Sequence, residues 1–366
     1  MDSEIETENL KPKIENRTGK NLARLKIAVV ALTVSGAFLF AYFIYSVGVE
    51  EILSGVARIG VGGFLFVQFL YFLRILARSV AWKLCVPAPY KLAVRDTLPA
   101  VVIGEALSSL IPLGILVSGT SKAVAVKNRV PLVVGLSSIT TENLFYSFAT
   151  GIFICFGAFA FLRSFDLADG WVWTIDTLVA IIFLLIIVGI LMIARQWHWA
   201  SSLSEWFYNR NFGKRFLESG RAQIRQFEDF IYCFYRQYPR RFAPVMMLQI
   251  FYHTVGVLEV WFILNRISTN AVGFYAAFLL ESISRVITIV FKLIPFLVGV
   301  DEAGAKFVTE TLALGAGIGV TLAIIRKGRI LFWTAIGLIL IVRRELSLSE
   351  ITKFNVGENA AKKAFD

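Results

Sequence analysis

Six stretches of this chain, 27–47, 61–82, 132–162, 171–194, 242–264 and 317–342, are predominantly apolar over lengths that a membrane dictates. A bilayer core about 30 Å thick takes about 20 such residues as a helix. No water in that core can satisfy an open backbone, so a chain built this way folds as a helix bundle within the membrane. Hydrophobic residues make up 57% of the 366, well above soluble proteins, which excludes soluble enzymes and scaffolds. No nucleic-acid partner is expected.

Two further apolar stretches, 96–117 and 273–300, are long enough to span but interrupt themselves. The first leads into "LIPLGILVSGTSKAVAV" (110–126) and the second into "LIPFLVGVDEAGAKFV" (293–308). Pro112 and Pro295 each remove an amide hydrogen bond, and the glycines that follow let the chain reverse. Irregular backbone at membrane depth requires cover from protein or a water-filled cavity. The two stretches are therefore expected to be re-entrant hairpins.

Basic residues orient the whole, because Lys and Arg stay on the cytoplasmic side. The expected outer loops, 48–60, 163–170 and 265–272, hold only Arg58, Arg163 and Arg266. Both termini are then cytoplasmic, with residues 1–26 a disordered tail, 27–342 the membrane domain and 343–366 a second tail. Segment 196–241, rich in Lys, Arg, Trp and Phe, is read as an amphipathic interfacial pair on anionic lipid; a plain charged loop is the alternative. The expected architecture is all-α and integral to the inner (cytoplasmic) cell membrane, with about six full crossings and two re-entrant hairpins.

Aligning Pro112 with Pro295 brings Lys122 opposite Lys306 after a one-residue gap, and Glu142 opposite Arg326. Three crossings separate the units, so the second is upside down relative to the first. Inverted repeats of this kind place transporter sites near the membrane midplane. Chance likeness of two short leucine-rich motifs is the competing explanation.

Charge within apolar segments is the stronger signal, since each costs about 3 kcal/mol at a helix centre and turns toward a bundle interior or cavity. Gln68, Tyr71, Arg74 and Arg78 share one helix face, as do Glu281, Arg285, Thr288 and Lys292. Glu142 lies within "SSITTEN", "RKGR" (326–329) is expected to interrupt the last helix, and Glu105, Glu259, Asp301 and Glu302 add acids. Simpler readings stay open: Glu281 and Arg285, four apart, could neutralise one another, and Arg74 and Arg78 could snorkel to the interface. Cys85, Cys155 and Cys233 lack paired spacing and read as packing residues. His253 reads as a satisfied core residue rather than a ligand.

"RSVAWKLCV" (78–86), "LIPLGILVSGTSKAVAVKNRVPLVVGLSSITTENLF" (110–145), "LIPFLVGVDEAG" and "GAGIGVTLAIIRKGRILF" together resemble the flippase-like transmembrane region of lysylphosphatidylglycerol synthases and their stand-alone relatives. The resemblance covers most of 27–342. It implies a proline-led re-entrant turn followed by a basic residue, Lys122; an acid on the next helix, Glu142; a G-x-x-E turn at Gly299, Asp301 and Glu302; and a base on the last helix, Arg326. The chain departs from the family's usual Glu-Arg with Asn143 after Glu142. The aminoacyl-transferring domain of the long relatives is not expected.

The expectation is a flippase-like transporter, not an enzyme, that moves a lipid with an anionic headgroup between leaflets. Lys122, Arg285, Lys292 and Lys306 would add positive charge to the unpaired amides at the hairpin ends. Glu105, Glu142, Asp301 and Glu302 would pair with these bases when no headgroup is bound. A non-transporting partner of a lipid-modifying enzyme, or a glycosyltransferase using a polyprenyl-linked sugar, are the alternatives. The second lacks any D-x-D, H-E-x-x-H or phosphate-cradling Gly loop, and no cofactor is expected.

Overall fold

The computed structural model describes residues 48–110, 114–163, 199–209, 236–291, 294 and 297–344, with isolated positions between 38 and 45, between 184 and 195, and at 225 and 234. The expected crossings at 27–47 and 171–194 lie almost wholly outside the described residues, as do Pro112, Lys292, Pro295, Cys233 and nearly all of both tails. The described helices are α1 (Val49–Cys85), α2 (Val94–Leu110), α3 (Gly114–Ala125), α4 (Leu132–Leu162), α5 (Trp199–Asn209), α6 (Pro239–Ile267), α7 (Phe274–Val290), α8 (Val300–Thr311) and α9 (Ala316–Arg343). No strand occurs among the described residues. Within α1, α4 and α6, the segments Ile52–Cys85, Leu132–Ala160 and Pro239–Ile267 are long and apolar enough to cross a membrane.

Three boundaries differ from the sequence reading. The segment 48–60 is not a loop: α1 begins at Val49 and bends at Gly60 (φ 60°, ψ 176°), a conformation that a side chain would resist. The first broken stretch does not end at 117, because α3 carries on to Ala125. The "RKGR" run does not interrupt α9, which continues through Arg326 and Arg329, because both guanidinium groups find carboxylates across the bundle. Of segment 196–241, α5 and the start of α6 are described.

The two broken stretches fold back on themselves. A Cβ built on Gly104 of α2 would lie 2.5 Å from Lys122 Cε of α3, and one on Gly304 of α8 would overlap Ile287 of α7. These contacts lie at comparable distances on either side of Pro112 and Pro295, so both pairs of helices close as hairpins. Gly299 (φ 83°) starts α8, and its N–H donates to Glu302 Oε2 at 2.8 Å.

Around the hairpins, α1 packs along α6, α7 against α4 and α6, and α9 against α1, α2 and α8. One apolar cluster joins Val67 of α1, Val260 and Ile263 of α6, Leu280 of α7 and Leu322 of α9. A second joins Ile75 and Trp82 of α1 to Val101 of α2, Ala123 of α3 and Ile139 of α4. Lipid tails are as apolar as leucine, so close approach matters more here than burial from water. Gly319 supplies that approach: a Cβ there would sit 2.6 Å from the Ala305 carbonyl.

Candidate functional site

The charges on the inner faces of these helices meet in one network. Arg74, 1% exposed, donates to Glu259 Oε2 at 3.3 Å and to Glu281 Oε1 at 3.5 Å. Glu281 also accepts from Arg285 one turn along α7 and from Arg326 Nη2 of α9 at 3.0 Å, while Arg326 Nη1 reaches Ser284 Oγ at 2.7 Å. Glu259 accepts from Arg329 as well. Glu281 therefore serves three arginines from three helices, and Glu259 serves two.

A second node centres on Arg78. Its Nε and Nη2 donate to the two oxygens of Glu142 at 3.1 and 2.9 Å, its Nη1 to Glu105 at 2.9 Å, and Nη2 also to Asn143 Oδ1 at 2.9 Å. Gln249 of α6 donates to Glu142 at 3.2 Å. Tyr rings cover the guanidinium faces: Tyr252 under Arg74 at 4.3 Å and Arg285 at 5.9 Å, Tyr71 under Arg329 at 4.3 Å, and Tyr146 under Arg78 at 4.6 Å. Neither Arg74 nor Arg78 snorkels to the interface. Both lie buried against carboxylates, which is how charge is tolerated in a low dielectric.

These groups border a cavity of about 310 Å³ between the two hairpins. Its walls carry six cations, Arg74, Arg78, Lys122, Arg285, Arg326 and Arg329, against two carboxylates, Glu105 and Asp301. Glu142 and Glu281 do not line it but hold its arginines from behind. The hydroxyls of Ser108, Ser109, Ser118, Ser147 and Thr288 complete a polar surface. Asp301, 7% exposed, faces this space with neither an ion pair nor a hydrogen bond among the described residues.

The structure thus gathers Arg74, Arg78, Glu105, Lys122, Arg285, Asp301 and Arg326 around one space. Glu302 is turned elsewhere, capping α8 and pairing with Lys327 at 2.6 Å. Lys306 lies 3.9 Å from Glu310 and is absent from the cavity lining; Lys292 falls outside the described residues. Glu142 and Arg326, placed opposite one another by the sequence alignment, do not pair: Arg78 takes the first and Glu281 the second. The sequence reading named Arg329 and Glu259 only in passing and missed Tyr146 and Tyr252. The three-residue spacing from Arg326 was the available signal for Arg329, whereas nothing distinguishes the two tyrosines among many aromatics. His253 is a core residue as expected, stacked on Phe153 with its Nε2 3.0 Å from Thr150 Oγ1.

No group of three or more His, Cys, Asp or Glu side chains able to hold a metal occurs among the described residues. The arrangement can hold a small anionic or polar group by many fixed donors. Multiple apolar helices and the architecture around them mark a multi-pass membrane protein. No curated protein and no solved structure matches the chain. A family model does match, over residues 25–337, and the chain accordingly belongs to the family described as the lysylphosphatidylglycerol synthase TM region.

Proposed function

We propose that the protein moves a lipid with an anionic headgroup between bilayer leaflets, passing the headgroup through the cavity between the hairpins while the acyl chains stay in lipid. The carrying observation is the excess of cations over carboxylates on the cavity wall. A phosphate-bearing headgroup meets guanidinium donors already oriented by Glu142, Glu259 and Glu281, so little side-chain ordering remains to be done on binding. Buried arginines in a membrane bundle are costly, and such residues mark substrate pathways by default.

In this reading the two hairpins are re-entrant and enter from opposite sides as an inverted repeat, with both termini cytoplasmic. A cysteine at position 167 then reacts with an impermeant reagent from outside the cell, and cysteines at 127, 215 and 355 do not. Reaction at 127 from outside makes the first hairpin a full crossing and removes the repeat.

The functional test uses proteoliposomes with fluorescent lipids. The unmodified protein is expected to accelerate transbilayer movement of an anionic lipid and to leave a neutral one nearly unchanged. Lys122→Met keeps the stem and removes the charge; it should fold and lose most of that movement. A well-folded Lys122→Met protein moving lipid at the original rate would remove Lys122 as a headgroup contact. Should the unmodified protein move neither phospholipids nor polyprenyl-linked lipids, the role of partner to a lipid-modifying enzyme becomes the better reading.

A further inference from the structure

A second cavity, of about 230 Å³, lies away from the charge network. It forms where α1 before its Gly60 bend meets the last residue of α6 and the first turns of α9. Its polar lining consists of Ser54, Arg58, Thr269 and Thr321, with Gly315 and Gly317 at the start of α9, and no carboxylate lines it.

We propose that this cavity is an oxyanion site of phosphate type, separate from the central one. Four observations converge. α9 is 28 residues long and its first turn has neither a side-chain cap nor an acidic residue, so unpaired N–H groups and the positive end of the helix dipole point outward. Arg58 is positioned beside it: Nη1 donates to the Ile267 carbonyl at the end of α6 at 2.9 Å. The remaining guanidinium N–H groups have no partner among the described residues. Thr321, 2% exposed, lines the cavity with its hydroxyl making no hydrogen bond among the described residues. That hydroxyl is available to donate to an acceptor held in the cavity.

Space is kept for this hydroxyl by Gly55, where a Cβ would sit 2.7 Å from Thr321 Cγ2 and 3.1 Å from its Oγ1. The one charged side chain here is a donor, the start of α9 presents N–H groups, the hydroxyls can donate, and the Ile267 carbonyl is already taken by Arg58, so the set suits an acceptor-rich anion. The anion can come from a lipid phosphate at the membrane surface or from free phosphate in water. Both present the same oxygens.

Hydrogen–deuterium exchange of the segment 314–321 distinguishes these sources. The full chain is held in a phosphate-free alkyl-glycoside detergent and supplied with phosphatidylglycerol, with a diacylglycerol glycoside lacking phosphate, or with millimolar inorganic phosphate. Exchange is expected to slow several-fold with phosphatidylglycerol and to stay unchanged with the glycolipid. Slowing with inorganic phosphate but not with phosphatidylglycerol supports the site and assigns it to a free anion. Arg58→Gln should abolish the protection and Thr321→Val should weaken it; the second variant carries the test if the first does not fold. Lys122→Met, in the other cavity, should leave it intact, so loss of lipid movement and loss of this site are read separately. Unchanged exchange in all arms, equal slowing by the phosphate-free glycolipid, or protection that survives both substitutions overturns the proposal.

Discussion

The two hairpins close alike and present different chemistry. In the α2–α3 hairpin, the Lys122 stem lies along Gly104, and the residue is 3% exposed on the cavity wall. In the α7–α8 hairpin, the glycine is on the other limb, and Ile287 fills the equivalent gap. The aligned lysine, Lys306, has a side chain 24% exposed that pairs along its own helix with Glu310. Asp301 faces the cavity instead. In both units a glycine on one limb lets a side chain of the other limb lie close against it. The charge offered to the cavity depends on single side chains and differs between them.

The largest effect should come from the second hairpin's carboxylate. Glu281→Gln leaves Arg74, Arg285 and Arg326 sharing too little negative charge in a low dielectric, a loss of about 3–5 kcal/mol for a broken buried pair. A lowered Tm and a smaller monodisperse fraction after purification are the readouts. In a double-mutant cycle, Glu281 and Arg326 should couple, whereas Glu142 and Arg326 should couple less than Glu142 does with Arg78. Coupling as strong between Glu142 and Arg326 would restore the pairing that the sequence alignment suggested.

Smaller effects separate the limb contacts. Gly304→Ala and Gly104→Ala each overpack a hairpin, at about 1–3 kcal/mol. Only Gly104→Ala displaces a cavity lysine, so equal Tm losses with unequal lipid movement are expected. Equal loss of movement in both would make hairpin closure, not lysine placement, the sensitive quantity. The smallest effect belongs to Lys306→Met. A partly exposed pair within one helix contributes about 0–1 kcal/mol, and lipid movement should change less than about twofold, a difference under about 0.5 kcal/mol. A loss as large as that of Lys122→Met would make the hairpins chemically equivalent after all.

Much of this was legible in the sequence because length, hydropathy and proline punctuation are local properties. The segments 132–162, 242–264 and 317–342 reappear in α4, α6 and α9 with small changes at their ends. The Glu281–Arg285 pair was legible too, since residues four apart on a helix must be neighbours. Partner choice across helices was not. Glu142 and Arg326 stand in aligned positions, yet rotation of each helix about its own axis decides which acid meets which base, and no local pattern encodes that rotation. The helical state of 49–59 was hidden by the glycines and charges around it, and that of "RKGR" by assigning its charges to a loop when carboxylates on α6 and α7 receive them.

Arg74, Arg78 and Arg329 are held on two sides at once, with a tyrosine ring against the flat face and carboxylates along the edge. A side chain clamped in this way is a fixed post, unable to swing across the bundle with a passenger. Under the proposed function, cargo must therefore be handed from post to post, each oxygen finding its next donor before releasing the last. Motion then belongs to the traveller and to the hairpins, and the arginines keep their places throughout.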